Sequence, residues 1–535
     1  MDHGERLVEV GGSVALLGCR RACLCGRKPE PAARCTRHAR ELLSFGKTAS
    51  LKTLRDPNRC GVRAFSVAAR SCYTGLASSV ISEQHDPERI AECAGWRLTQ
   101  QKETRVSGPD PLQPPFMRLK MYLLLLKQRA LENRWVVHGA LSALVVWGFI
   151  QALVGRRAGA FKTLAQVHRT TRLRWQRRLI EPYILAHYPA IYGEPRPTNR
   201  PDFTKFFGRR LLVLKAPLRD GEKGVLFVSF SDMFRLLQAY MDVRKLLQDY
   251  TLVFEPSYPG FCHPELLKYT RWQDKIFVLA APEDDFAFLR RLNSNLIPLD
   301  MGPADWVDPR VALPYLGNPK EFDIVMNSGW MALKRHYVLF RMLARAKQEY
   351  KVLLIGFPTQ KTDISDIKRL ADYYAVRDQL TIVEDIPYHE VMNLTCRSRV
   401  SVLLSLKEGG NRAVSESIFC DVPVLLLSTH VGGVKKNVVP ETGVLAEEAD
   451  LEAAITRLGD GNMSPRQWGL DHISCFKSSE ELNRILRDDA LEQRRPWTQD
   501  IAARSNSPDS SYTCLEDTER LRPWNEKLRE YLTKG

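Results

Sequence analysis

Past residue 100 the chain is poor in cysteine: of the 12 in its 535 residues only Cys262, Cys396, Cys420, Cys475 and Cys514 lie there, widely separated. That scatter excludes a disulfide framework and suits a reducing compartment. Internal repeats and low-complexity arrays are absent as well. Residues 1–116 lack sustained hydrophobic periodicity, are rich in Arg, Ser and Gly, and end in the linker-like SGPDPLQPPF. Disorder is expected there. Asp2, Glu5 and Glu9 argue against an organelle transit peptide. Cys19, Cys23, Cys25, Cys35 and His38 match no compact pair-and-pair zinc spacing, so no metal site is expected. The abrupt change to MRLKMYLLLLK also leaves open a functional start at Met117.

The formal charge is +16 and the pI about 9.3, so an anionic partner is in question: nucleic acid, lipid or substrate. The location of the charge decides. Trp135 to Val154 is twenty residues without Asp, Glu, Lys or Arg, long enough to cross a bilayer. Gly155 to Ile180 then carries eight Lys or Arg and no acid, while Arg118 to Arg134 carries five and one acid. The expectation is a single-pass membrane helix with a juxtamembrane basic run on anionic lipid and the catalytic domains on the cytoplasmic side. A buried helix, or one lying in the membrane interface, is the alternative reading. Nucleic acid is not expected, because arginines beside an apolar helix are more simply a lipid anchor.

From Arg209 the texture alternates. Strands are expected at 211–215, 225–230, 251–255, 275–280 and 296–300, with helices at 232–249, 263–269 and 284–292. The turn-rich GPADWVDP follows at 302–309. A second series places strands at 322–326, 352–356, 380–384, 400–404 and 422–427, with helices at 335–349, 364–374, 388–395, 413–420 and 451–458. Alternation of this kind reads as α/β with two parallel sheets covered on both faces. Beyond Gly461 the chain reads as helical and polar, with a turn at NSPDSS.

The stretch Lys407 to Val424, KEGGNRAVSESIFCDVPV, organises the second series. A buried strand runs into Gly409 and Gly410, which allow a sharp turn and close approach to a ligand; Asn411 then caps a helix that Asp421 and Pro423 stop. Glu408 stands at the mouth of the turn and Glu416 on the helix. In an open parallel sheet that mouth is where ligands bind. Free helical N–H groups suit a diphosphate, and carboxylates suit vicinal hydroxyls of a sugar or ribose. The competing reading makes Glu408 a solvated loop residue and pairs Glu416 with Arg412 one turn back, worth only ~0.2–0.5 kcal/mol.

Glu408 and Glu416, then Pro423-Val424, Gly432-Gly433 and Val438-Val439-Pro440-Glu441-Thr442-Gly443-Val444-Leu445, form an ordered set. It resembles the donor-binding half of the family 4 retaining glycosyltransferases, glycosyl transferases group 1, which have the two-domain GT-B fold. The resemblance implies two Rossmann-like domains facing a cleft, a nucleoside diphosphate sugar as donor, no cofactor and no metal. It implies that Glu408 contacts the donor sugar, Glu416 the ribose, and the backbone of Gly409, Gly410 and Asn411 the sugar and diphosphate. In the turn NSGWMALKRH, Lys334 matches the family's phosphate-binding Lys, but Gly329 occupies the place of its Arg; Arg335 or Arg412 is the expected substitute. The loop EDIPYHE resembles the base-binding loop, with backbone groups at Ile386. His263, at a helix start, is a further catalytic candidate with an equal structural reading. The expected organisation is extension 1–116, anchor and basic region 117–206, acceptor-side domain 207–305, nucleotide-sugar domain 306–480 and helical tail 481–535, its last helix returning to the first domain. The expected function is transfer of a sugar to an envelope or lipid-linked glycan or polysaccharide acceptor. A non-catalytic scaffold of the same fold, or a nucleotide-sugar epimerase, is the alternative.

Overall fold

The computed structural model describes residues 115–193, 200–218, 221–256, 263–315, 320–461 and 463–533, all within one compact unit. The disorder expected before residue 115, the Cys/His cluster there and most of the loop at 256–263 lie outside the described residues.

Four helices come first: α1 (Pro115–Glu132), α2 (Arg134–Leu153), α3 (Arg157–Thr170) and α4 (Arg174–His187). Asn133 ends α1 and caps α2, its side-chain oxygen accepting from Trp135 N at 2.9 Å. Gly155, at φ +80°, turns the chain from α2 into α3, a conformation that favours glycine. The expected basic run is therefore not an extended anchor. Leu141 and Val145 of α2, Phe161 and Leu164 of α3, and Ile180 and Ile184 of α4 share one hydrophobic core with the strands that follow. Apolar side chains at helical spacing on α3 and α4 supply the reason, since they bury one face of each helix.

The first sheet has order β1-β2-β3-β4-β5: Leu211–Lys215, Gly224–Ser229, Tyr250–Glu255, Ile276–Leu279 and Leu296–Leu299. β2 to β5 are parallel, but β1 runs antiparallel to β2. The link between them is too short for the crossover that a parallel pair needs. The helix expected at 232–249 is two, Ser231–Tyr240 and Val243–Asp249, because Asp242 accepts from Lys245 N at 3.0 Å and starts the second.

The second sheet comprises β6 (Phe322–Asn327), β7 (Val352–Gly356), β8 (Leu380–Glu384), β9 (Ser398–Leu403), β10 (Val424–Leu427) and β11 (Gly443–Ala446). Its order is β11-β10-β9-β6-β7-β8, with every pair parallel. Its connections include the helices α5 (His336–Leu343), α6 (Tyr388–Thr395) and α7 (Arg412–Phe419). Winding proceeds from β6 one way and from β9 the other, so the topological switch point lies between these two neighbours. Ligands bind outside the carboxyl ends of strands at such a point.

The chain end returns to the first sheet. Leu482 and Leu486 of α8 (Cys475–Glu492) pack beside Leu212 and Leu214 of β1. NSPDSS is not a bare turn but joins a small hairpin, β12 (Arg504–Asn506) and β13 (Ser510–Tyr512). From α9 (Leu515–Lys527), Asn525 Oδ1 accepts from Val213 N at 2.9 Å, which satisfies a backbone donor of β1.

Candidate functional site

Two loops leave the switch point. The loop after β6 carries Gly329 to Arg335, and the loop after β9 carries Ser405 to Asn411. Lys334 and Glu408 meet there, Nζ to Oε2 at 2.8 Å. Asn411 binds both ways: its Nδ2 donates to Glu408 Oε2 at 2.8 Å, and its Oδ1 accepts from Ala413 N at 2.9 Å to cap α7. The turn is thus held by its own cap residue. Glu408 Oε1 is buried without a hydrogen bond of good geometry, although the Ser405 hydroxyl approaches the carboxylate. Burial pushes the Glu408 carboxyl up, but the Lys334 ammonium and the bonds from Ser405 and Asn411 outweigh it and hold it below the usual carboxylate range. Among the described residues no acceptor meets the backbone N–H of Gly409, Gly410 or Asn411.

A residue that sequence reasoning did not single out completes the group. His430 is 2% exposed, and its Nδ1 lies 2.8 Å from the Ser405 carbonyl. A carbonyl only accepts, so Nδ1 carries the proton and Nε2 presents a lone pair. Nε2 has no partner. A Cβ on Gly432 would lie 2.6 Å from the Glu408 carbonyl oxygen and 2.7 Å from His430 Nε2, so glycine is required where these groups converge. Burial lowers the affinity of His430 for a second proton. Glu408 Oε1 and His430 Nε2 are two buried acceptors awaiting donors, which is the complement of a polyhydroxyl ligand.

Glu416, on α7, is 3% exposed. Its Oε1 accepts from the Tyr388 hydroxyl of α6 at 2.9 Å and pairs with Arg412 Nε at 3.3 Å. Burial raises its carboxyl, and Arg412 and Tyr388 only partly oppose this. Arg412 is in turn held by the Asn506 carbonyl at 2.8 Å, which ties α7 to the β12–β13 hairpin.

Arg335 is placed elsewhere. It stands at φ +62° just before α5, not at the start of a helix over 335–349, and it is 4% exposed. Its guanidinium is taken up by Glu132 of α1 at 2.9 Å, Glu448 at 2.5 Å and the Leu404 carbonyl at 3.1 Å. These contacts leave it joining α1 to the strand ends under the loops. Gly329, where the resemblance expects an Arg, has Phe357 against it: a Cβ there would approach the ring to 2.7 Å. Ile386 follows Asp385, which takes φ +53°, and packs with Val325, Leu353 and Ile355. His263 Nδ1 accepts from Glu265 N at 3.2 Å and caps a one-turn helix.

The first sheet closes on these loops. A Cβ on Gly410 would lie 2.6 Å from Pro303 Cδ, and one on Gly433 2.4 Å from Ala281 Cβ. Asp305 accepts from Asn437 Nδ2 at 2.9 Å and lies 3.3 Å from Lys436 Nζ, fastening the crossover to the loop after β10. Among the described residues no group of three His, Cys, Asp or Glu converges as a metal ligand set.

Residues 318–469, which hold the second sheet and both glutamates, match the family model described as Glycosyl transferases group 1. This part of the chain is a group 1 glycosyltransferase domain. No curated protein matches the chain. Among solved structures, sucrose-phosphate synthase from Thermosynechococcus elongatus is similar at 16% identity and TM-score 0.40, over 60% of this chain and 81% of that one. HepE from Anabaena in complex with UDP aligns at 12% identity and TM-score 0.40, over 49% of this chain and 78% of that one. The lipopolysaccharide outer core galactosyltransferase WaaB does so at 12% identity and TM-score 0.32, over 54% and 73%. Likenesses of this size carry no function across.

Proposed function

We propose that the chain is a retaining, family 4-like glycosyltransferase of GT-B architecture that moves a sugar from a nucleoside diphosphate sugar to a lipid-linked or polysaccharide acceptor. The observation that carries the reading is the convergence of Lys334, Glu408 and His430 at the switch point of a parallel sheet, under loop amides without acceptors. Lys334 and the amides of Gly409 to Asn411 would hold the diphosphate and its growing negative charge as the leaving group departs. Glu408 and His430 would accept hydrogen bonds from sugar hydroxyls. Glu416 would bind the ribose, and the backbone at Ile386 the base. Positive side chains and amides then do what a metal does elsewhere, so neither metal nor cofactor is needed in this reading.

The acceptor would be met at a membrane, on its cytoplasmic side. Lys407, next to Glu408, donates to the Arg169 carbonyl at the end of α3, so the site loop adjoins the helices that carry the apolar run. A second reading, a scaffold without activity, is favoured by Gly329 in place of the expected Arg. Calorimetric titration of the full chain with nucleotide sugars decides between them: saturable binding that Glu408→Gln alters, with turnover in the presence of acceptor, supports the transferase. Absence of binding supports the scaffold, and conversion of donor without acceptor an epimerase.

A further inference from the structure

The apolar helix α2 has two faces of different fate. Leu141, Val145 and Gly148 face inward, and a Cβ on Gly148 would meet the Leu164 side chain at 2.6 Å, so α2 and α3 lie in close contact. Gln176 of α4 reaches across to Ser142 Oγ at 2.9 Å. The other face, read at helical spacing as Val136, Gly139, Ala143, Val146, Ile150 and Leu153, is exposed and carries no polar side chain. Trp135 is 85% and Leu153 87% exposed at the two ends of this stripe. Leu119, Leu123 and Leu126 of α1 and Trp175 and Leu179 of α4 add exposed apolar side chains. A patch of this extent in water marks a binding surface.

From this we infer that α2 lies in the plane of an anionic membrane surface, its exposed stripe among the acyl chains and headgroups, and does not cross the bilayer. The core face of α2 belongs to the same hydrophobic core as β1 to β4. A helix crossing the bilayer would draw α3 in beside it, with Arg157, Lys162 and Arg169, and would strip the first sheet of part of its core. An in-plane helix instead keeps both faces satisfied, one on protein and one about 5–10 Å into the headgroup boundary. Charge agrees with an anionic surface. Lys127, Arg156, Arg157, Arg174 and Arg178 are exposed on the same four helices, and basic residues beside such a surface each strengthen binding. The tryptophans Trp135, Trp147 and Trp175 have the amphipathic character favoured at headgroup level.

The same seating positions the site. Leu125 of α1 packs into the core of the second sheet, while α2 packs into that of the first. Placing both helices on one surface therefore holds both halves of the cleft at the membrane, with the site loop tied to α3 through Lys407.

The experiment is sedimentation of the purified full chain with vesicles of phosphatidylcholine alone and with phosphatidylglycerol added, followed by alkaline carbonate extraction. It reads lipid binding and not catalysis, so it stands apart from the glycosyltransferase reading. Binding to the anionic vesicles, weakened roughly tenfold or more by Arg156→Glu with Arg157→Glu, abolished by Val146→Asp with Ile150→Asp, and released by carbonate, is the expected result. Circular dichroism checks that the variants fold. Material that resists carbonate and is cleaved by protease on both sides of the vesicle would establish a span and overturn the inference. Absence of vesicle binding, with a concentration-dependent dimer that Val146→Asp breaks, would assign the stripe to a second copy of the chain and overturn it equally.

Discussion

Lys334 and Glu408 are 74 residues apart in the chain, and their side chains meet at 2.8 Å. The ammonium is what lets a buried carboxylate stay charged. Replacing it with Lys334→Met leaves burial unopposed by that cation, so the Glu408 carboxyl rises and any step that needs the carboxylate fails at a higher pH than in the parent. The acid limb of the single-turnover rate should move upward, and donor affinity should fall by about 1.5–3 kcal/mol for a lost charged contact. Lys334→Arg should restore the limb. An unmoved pH profile in Lys334→Met would remove the pair from the chemistry.

Glu408→Gln and Glu416→Gln should separate. The first should lower turnover more than it weakens donor binding, since a carboxylate gains more than an amide from the positive charge that develops on the sugar. The second should mainly weaken binding, by on the order of 1–3 kcal/mol. Burial holds the Glu416 carboxyl above its ordinary range, and ribose hydroxyls favour its charged form. Donor affinity should therefore drop as pH falls through that raised pKa, and Glu416→Gln should flatten the dependence. Calorimetry across pH measures both; a surface pair would leave affinity unchanged.

Arg335 should matter to stability and not to the donor. Arg335→Met strands Glu132 and Glu448, and breaking a buried ion network costs about 3–5 kcal/mol. Urea denaturation of the variant reads that loss. A donor affinity weakened more than tenfold in a variant of unchanged stability would return Arg335 to the phosphate.

His336 is 3% exposed, and burial with the nearby Lys334 charge lowers its pKa from 6.5 to about 3. The unfolded chain therefore binds a proton that the folded chain refuses over this window. Its contribution to stability is intact above pH 6.5 and is lost on acidification at roughly 1.4 kcal/mol per pH unit until the folded pKa is reached. His336→Phe should flatten the stability curve between those limits, as followed by thermal melts; an equal slope in the variant would refute the assignment.

The strand and helix pattern of the second sheet was legible because parallel strands buried on both faces read as short apolar runs. The unit from β9 to α7 was legible because Gly-Gly-Asn leaves few alternatives. β12 and β13, three residues each, carry too little pattern to see. The place of Arg335 was hidden because its partner Glu132 is 203 residues away. His430 gives no local signal: only the fold brings its ring to Ser405 and leaves Nε2 beside Glu408. The apolar run at 135–154 announced a helix but not that one face of it is spent on α3.

The central claim is sugar transfer from a nucleoside diphosphate donor at the Lys334–Glu408 site. Its most direct test is to incubate the full chain with a panel of radiolabelled nucleotide sugars and a membrane glycolipid extract, and to measure label entering the lipid phase. One donor should transfer label with release of its nucleoside diphosphate, and Glu408→Gln should reduce the rate by at least about a hundredfold, of the order expected when a group acting in the transition state is removed. Transfer that persists unchanged in Glu408→Gln, or no transfer and no donor binding from any member of the panel, would contradict the account.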